Sequence, residues 1–161
     1  MSTGLARDGF WAMKWKGRRA MDDPRIDFEP FVDQAVRQFI DQGIDNHNVA
    51  AFGLPTWFPA NFVMRSTRGE VLGGLLGVIW GGWLWVSHLW VTEAERGRGH
   101  AGRLLDSAEA YAREKGCIGS ALDTHNSSAK ALYERRGYQV VGEIEDYPPG
   151  HARTFLQKRF G

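Results

Sequence analysis

The chain has 161 residues, a formal net charge of +1, and 43% hydrophobic against 24% charged residues, a balance that suits one globular domain with a real core. A near-neutral chain does not advertise a nucleic-acid partner. The single Cys117 excludes an intrachain disulfide, fits a cytoplasmic location, and has no His/Cys cluster at metal-ligand spacing around it, so it reads as a small apolar residue and no metal is expected.

Met1 to Asp23 carry Arg7, Lys14, Lys16, Arg18 and Arg19 with Trp11 and Trp15, but no sustained apolar run of the kind a signal peptide needs. They read as a basic, flexible extension, with a functional arm or translation begun upstream of Met21 as the alternatives. Arg25 to Phe28 fit a short strand. Phe31, Val32, Ala35, Val36, Phe39 and Ile40 then recur at helical spacing until Gly43, which predicts a first helix that stops there. Ile44 to Ala60 holds Asn46, His47, Asn48, Pro55, Trp57 and Pro59 without periodicity and reads as a long loop. His47 is either a substrate-binding residue on that loop or an ordinary surface histidine.

Asn61 to Thr67 is a strand, and Arg68-Gly69-Glu70 is its turn. Val71 to Thr92 contains no Asp, Glu, Lys or Arg and is long enough to raise a transmembrane helix. Its five glycines argue against that reading, because Gly81-Gly82 separates two strand-like runs as a two-residue hairpin turn does. No membrane partner is expected. The second run is apolar on both alternating sets: Trp83, Trp85, Leu89 and Val91 on one, Leu84, Val86 and Trp90 on the other. This predicts a central strand covered on both faces. The chain has seven Trp residues, which serve either as core or as pocket lining.

Ala101, Leu104, Leu105, Ala108 and Ala112 have helical spacing in a run that ends at Gly116, and Ile118 to Thr124 is a further buried strand. Ser127 to Arg135 is a short helix with Asn126 or Ser127 as its cap and Gly137 near its end. Tyr138 to Glu145 and Arg153 to Lys158 are two strands joined by a stiff turn containing Pro148, Pro149 and Gly150. The predicted order is β-α-β-β-β-α-β-α-β-β.

Between Val91 and the helix lies a glycine-rich turn. Gly97, Gly99 and Gly102 let backbone N–H groups point into one small space at a helix N-terminus, whose free donors and dipole favour an anion such as phosphate. A Walker A loop would need Lys followed by Ser or Thr after its last glycine, where Arg103 and Leu104 stand. Gly97-x-Gly99-x-x-Gly102 matches the Rossmann fingerprint, with Asp123 at a suitable distance for a ribose. Yet Thr92 to Arg96 intervene between strand and turn, and fewer than half the residues remain for such a domain.

The third reading is R-x-x-G-x-A, carried by Arg96, Gly99 and Ala101. This resembles motif A of the GNAT superfamily of N-acetyltransferases, whose loop binds the pyrophosphate of acetyl-CoA. The likeness runs from about Val71 to Phe160 and includes A-L-Y-E-R-R-G-Y from Ala131 to Tyr138 and G-E-I-E-D-Y-P-P-G-H from Gly142 to His151. Similar wording is familiar from uncharacterised bacterial members. The resemblance implies an α+β fold with a mixed, mostly antiparallel central sheet flanked by helices on both faces, and a single domain over residues 24–161. It also implies transfer of an acetyl group from acetyl-CoA, as co-substrate and without a metal, to a primary amine of a small molecule or peptide by direct attack in a ternary complex. A non-enzymatic acyl-CoA-binding sensor is the alternative, with a Rossmann-type dinucleotide-binding protein behind it; a homodimer is an open alternative for the assembly.

By the same resemblance, the backbone of Arg96, Gly97, Arg98, Gly99, His100, Ala101 and Gly102 would cradle the pyrophosphate, and the peptide groups of Leu89 and Val91 would pair with the pantetheine arm. Arg96, Arg98 and Arg103 would either add charge to phosphate contacts or remain solvated surface charge. Asn126 would face the pantetheine or merely cap its helix. Family members often carry an acidic base on the central strand just before the Val of motif A, where this chain has Ser87 and His88. An imidazole is suited to proton transfer near neutral pH, so His88 is a candidate base, against a core histidine. Glu143, Glu145, Asp146 and His151 are reserve candidates. Tyr133, rather than Tyr138, falls where the family's general-acid tyrosine lies, against a core tyrosine with a satisfied hydroxyl.

Overall fold

The uncharged run folds as a long hairpin, β3 (Val71–Trp80) and β4 (Trp83–Val91). Gly81 and Gly82 turn it with φ of 58° and 76°, the left-handed pair that a primed two-residue turn requires and that matches the twist of the strands. The computed structural model describes residues 24–53 and 57–161; the predicted basic extension, Met1 to Asp23, lies outside them.

Residues 24–53 belong to one compact unit. Its helix, α1 (Gln34–Phe52), is capped by Asp33, whose Oδ1 accepts from the Val36 N–H at 2.9 Å, and closes at Gly53, left-handed at φ 65°. The helix therefore runs straight through Gly43, where a stop was expected, and takes His47 and the first part of the expected loop into its second half. A mid-helix glycine costs about 1 kcal/mol relative to Ala, which weakens a helix without ending it. The short strand expected at Arg25 to Phe28 does not form among the described residues; Pro24 and Pro30 bracket it, and a strand exists only where a partner receives its ladder.

In residues 57–161, β1 (Phe58–Pro59) and β2 (Phe62–Arg65) pair in succession along the same edge of β3. After β4 come α2 (His100–Glu114), β5 (Gly119–Thr124), α3 (Ser127–Arg135), β6 (Gln139–Ile144) and β7 (Arg153–Arg159). The sheet order is β1-β3-β4-β5-β7-β6, with β2 beside β3. Only β4 and β5 run parallel, so the sheet is mixed and mostly antiparallel. A doubly wound parallel sheet, and with it the dinucleotide reading, is excluded. The uncharged run is a hairpin, and no described helix is long and apolar enough to cross a membrane.

The alternation expected for β4 is corrected by one residue. Leu76 stands opposite His88, but Gly77 stands opposite Val86, so Ser87 is an extra residue in β4. Such a bulge reverses the parity of the strand. Leu84, Val86 and Val91 are buried on one face with Leu89 half-buried, whereas Trp85, His88 and Trp90 are exposed on the other. Coverage on both faces is thus met on one face only within this unit.

Against that face, α2 sets Leu104, Leu105, Ala108 and Ala112, which join Leu75, Leu84, Leu122 and Leu156 in one core. α2 ends at Gly116 (φ 78°), with Gly116 N–H bonded to Arg113 O and Cys117 N–H to Ala112 O, both 2.9 Å. This is the Schellman arrangement, which satisfies the last carbonyls of a helix. Cys117 is buried, and burial pushes its thiol pKa up, as an inert core thiol should show. The core also contains charge: Glu109 is 3% exposed and accepts from Lys158 Nζ at 2.6 Å, with Arg113 at 3.6 Å.

Removing one member of such a pair leaves the other desolvated and underpaired. Lys158→Met is expected to cost about 2–4 kcal/mol in urea unfolding, and adding Glu109→Leu to recover much of that loss. A double variant no more stable than Lys158→Met would show that the charge on Glu109 is not the source of the cost.

Candidate active site

The connection from β4 to α2 is built to gather N–H groups. Glu93 to Glu95 form one 3-10 turn, closed by the Arg96 N–H on Glu93 O at 3.1 Å. Gly97 and Gly99 then adopt φ of 74° and 78°, which an L side chain rarely tolerates, and α2 starts at His100 with no acidic residue in its first turn. Free donors and the helix dipole are features that favour an anion at such a terminus. Gly102 lies inside α2, and the Arg136 guanidinium occupies the space a Cβ would need while pairing with Asp106.

Beside this terminus the sheet opens. Pairing between β4 and β5 ends at Val86 opposite Leu122, although β4 continues to Val91 and β5 to Thr124. The opening leads into a cleft of about 680 Å³ between the end of β4, the start of α2, and α3. Nine of the ten sequence-predicted cofactor residues line it: Leu89, Val91, Arg96, Gly97, Gly99, His100, Ala101, Gly102 and Asn126. Arg98 does not; it is exposed and paired with Glu95 at 3.2 Å. Arg96 uses its Nε to hold Val91 O at 3.1 Å, pinning the loop to the strand and engaging one of the carbonyls expected to be free. Arg103 faces a separate cavity of about 370 Å³ between β2 and α2. Arg135, which sequence reasoning missed, lines the main cleft. It stands two residues after Tyr133 in the R-R pair before Gly137, a signal that was present but indistinguishable from surface charge.

Two further devices furnish the cleft. Asn126 caps α3, its Oδ1 accepting from the N–H groups of Ser128 and Ala129 at 2.8 and 3.1 Å. Its amide nitrogen is thereby left as the donor for anything in the cleft. At the other end of α3, Gly137 (φ 85°) closes a second Schellman motif: Tyr138 N–H bonds Tyr133 O and Gly137 N–H bonds Glu134 O, both 3.0 Å. The motif brings the rings of Tyr133 and Tyr138 to 5.8 Å. Tyr138 donates to Ser120 Oγ at 2.8 Å inside the core. Tyr133 lines the cleft, is 6% exposed, and has no hydroxyl partner among the described residues. Burial, helped by the Asp123 carboxylate, raises its pKa above the ordinary phenol value, so it stays protonated at neutral pH.

His88 is not brought into that cleft. It lies exposed on the opposite face of β4, with Nδ1 3.1 Å from Ser87 Oγ, whose hydroxyl donates to Leu76 O at 2.9 Å. Among the reserve candidates, Glu143 is committed elsewhere. It accepts from Lys130 at 2.9 Å and Thr154 at 2.7 Å, and both bonds hold its pKa below the usual value while Lys130 is raised. A base needs the opposite tuning. His151 shares a third cavity with Glu143, and Asp146 accepts from Gly150 N–H at 3.1 Å.

Comparison with known proteins adds independent findings. A family model described as the Acetyltransferase (GNAT) family matches residues 22–138. Acetyltransferase Atu2258 of Agrobacterium fabrum is 41% identical over 114 residues, 71% of this chain and 83% of the relative. Blasticidin-S acetyltransferase of Streptomyces morookaense is 47% identical over 92 residues, 56% and 68% respectively. A crystal structure from Agrobacterium tumefaciens matches with a TM-score of 0.81 at 36% identity, covering 85% of this chain and all of that one (100%).

The cap gives Asn126 a role that is measurable without any ligand. Asn126→Ala is expected to lose about 1 kcal/mol in urea unfolding, whereas Asn126→Asp, which keeps the accepting oxygen, should stay within about 0.5 kcal/mol of the parent. Equal losses in the two variants would mean that the cap bonds do not support α3.

Proposed function

The chain belongs to the GNAT family of N-acetyltransferases, and on that premise we propose that it moves an acetyl group from acetyl-CoA to the primary amine of a small molecule by direct attack in a ternary complex. The observation that carries the reading is one cleft holding both an anion cradle, with left-handed Gly97 and Gly99 at a helix N-terminus, and the buried phenol of Tyr133. A family match spanning residues 22–138 supports reading 24–161 as one acetyltransferase domain. The small-molecule acceptor is supported by 47% identity to a protein named blasticidin-S acetyltransferase.

Acetyl-CoA supplies the activated acyl carbon and the leaving sulfur. For its pyrophosphate the chain offers the backbone from Arg96 to Gly102, with Arg135 as an added cation. For the pantetheine arm it offers the edge of β4 that β5 leaves unpaired around Leu89, with the Val91 carbonyl held by Arg96, and the Asn126 amide. An amine with a pKa near 10 costs about 4 kcal/mol to neutralise at pH 7, so a base beside it lowers the barrier. His88 takes that role: its imidazole accepts one proton from the attacking nitrogen as the new C–N bond forms. The C–S bond breaks, and Tyr133 returns a proton to the sulfur. Burial raises the phenol pKa, and it also disfavours a bare thiolate next to that phenol, so donor and acceptor shift together. Tyr138 cannot substitute, because its hydroxyl is spent on Ser120 inside the core.

Release of free thiol from acetyl-CoA, measured against a panel of amines that includes blasticidin S, tests the reading. Turnover with at least one small amine is expected. Tight acetyl-CoA binding with no turnover on any acceptor would replace the enzyme with a sensor. Tyr133→Phe keeps the ring and removes the proton. It should lower kcat by about tenfold to a thousandfold with acetyl-CoA affinity and Tm little changed. A kcat within about twofold of the parent, where chemistry limits turnover, would show that Tyr133 is not the acid.

A further inference from the structure

The geometry points to Ser87 as a positioning residue for the reaction: it fixes which nitrogen of His88 is free to take a proton. This inference rests on His88 as the base. A serine hydroxyl carries one proton and accepts through its lone pairs. Here that proton is spent, because the bulge disrupts the β3–β4 ladder at this level and the hydroxyl donates to the Leu76 carbonyl at 2.9 Å. Towards His88 Nδ1, 3.1 Å away, the same oxygen can then only accept. A neutral imidazole has one N–H, and the hydrogen bond made by one nitrogen decides the state of the other. The proton therefore resides on Nδ1, and Nε2 presents its lone pair outward, away from the strand.

The order of bonds matters. Were the Leu76 carbonyl satisfied otherwise, the hydroxyl would turn to donate to Nδ1, and the imidazole proton would sit on Nε2, blocking the nitrogen that must act as base. The bulge thus sets a chain of three groups, carbonyl, hydroxyl and imidazole, in which each donor and acceptor is specified by the one before. Its effect is on the resting state of the base, not on the cofactor cleft, since neither Ser87 nor His88 lines that cleft. When the Nε2 atom accepts the amine proton the ring becomes a cation with two N–H groups. Nδ1 then keeps its bond to Ser87 unchanged, so no reorganisation accompanies the transfer.

The test combines a spectrum with rates. Nitrogen-15 chemical shifts of histidine-labelled protein, recorded where His88 is neutral, should show His88 with a protonated Nδ1 and a bare Nε2. Ser87→Ala should move His88 toward a mixture of tautomers and lower kcat/KM for the amine by about tenfold, with Tm and acetyl-CoA affinity little changed. Ser87→Thr, which restores the hydroxyl on a residue suited to a strand, should return both signals most of the way. A parent spectrum with Nε2 protonated, or a Ser87→Ala variant whose spectrum and rate match the parent while His88→Gln is inactive, would overturn the role of Ser87 alone. Full activity in His88→Gln would instead remove His88 as the base, and with it the catalytic meaning of the tautomer.

Discussion

One extra residue in β4 governs where nearly every other group of the site can stand. Because side chains alternate along a strand, inserting Ser87 moves each later residue to the opposite face. Leu89 and Val91 consequently continue the face begun by Leu84 and Val86, so that α2 meets an apolar surface along the whole strand. Trp85, His88 and Trp90 share the other face. An unbulged strand would place His88 under α2, where an imidazole would need a buried partner, and would turn Leu89 outward. The partner strand is adapted to the irregularity at Gly77, where a Cβ would come within 2.8 Å of the Trp85 carbonyl. The same bulge marks the point where β4 leaves β5. Their ladder stops at Val86, one residue earlier, and the cleft begins in the gap.

The helix ends complete what the bulge begins. Left-handed Gly97 and Gly99 shape the loop at the start of α2, the proposed anion site, while Gly116 and Gly137 close the ends of α2 and α3 in identical motifs. In the second of these, Tyr133 supplies the carbonyl that receives Tyr138 N–H, so the backbone bond and the ring contact place Tyr133 jointly. Charges around the cleft are settled in a way that suits a polyanionic ligand. Glu95, the acidic residue that lines it, is engaged by Arg98 and His100 at 3.2 and 3.3 Å, and Asp123 by Arg153 at 2.7 Å. Arg96 and Arg135 remain on the wall. With no strong net charge on the chain as a whole, the proposed phosphate site rests on local features, a loop and two side chains.

What the sequence showed depended on whether a feature was local. The Gly81-Gly82 turn, the Asn126 cap and the glycines of the loop each act through a few neighbouring residues, and each stands where its pattern put it. Strand pairing is not local in that sense. Arg25 to Phe28 had the composition of a strand, but composition does not supply a partner; and the parity of β4 turned on a single unpaired residue that no alternation pattern can reveal. Gly43 shows the converse limit, since a capping side chain and a better terminator at Gly53 outweighed its modest penalty. For the arginines the direction of each side chain was not legible in the sequence. Arg96, Arg98, Arg103 and Arg135 look alike as letters, yet they hold a carbonyl, pair with Glu95, face another cavity and line the cleft, respectively.

In the proposed mechanism the sheet itself separates acid from base, and that separation has a physical use. Were Tyr133 and His88 to share one cavity, the phenol and the imidazole would bond to each other. The phenol would then donate its hydrogen bond to the imidazole, which turns its proton away from the sulfur and fills the nitrogen that should take the amine proton. With β4 between them, each group is set by its own surroundings: Tyr133 by burial that keeps it protonated, His88 by the Ser87 hydroxyl on an exposed face. On that proposal the amine and the thioester meet at the gap where β4 parts from β5 beyond Val86. That placement ties the chemistry back to the bulge, because a strand that paired with β5 along its full length would bring the two reactants to opposite sides of a closed sheet.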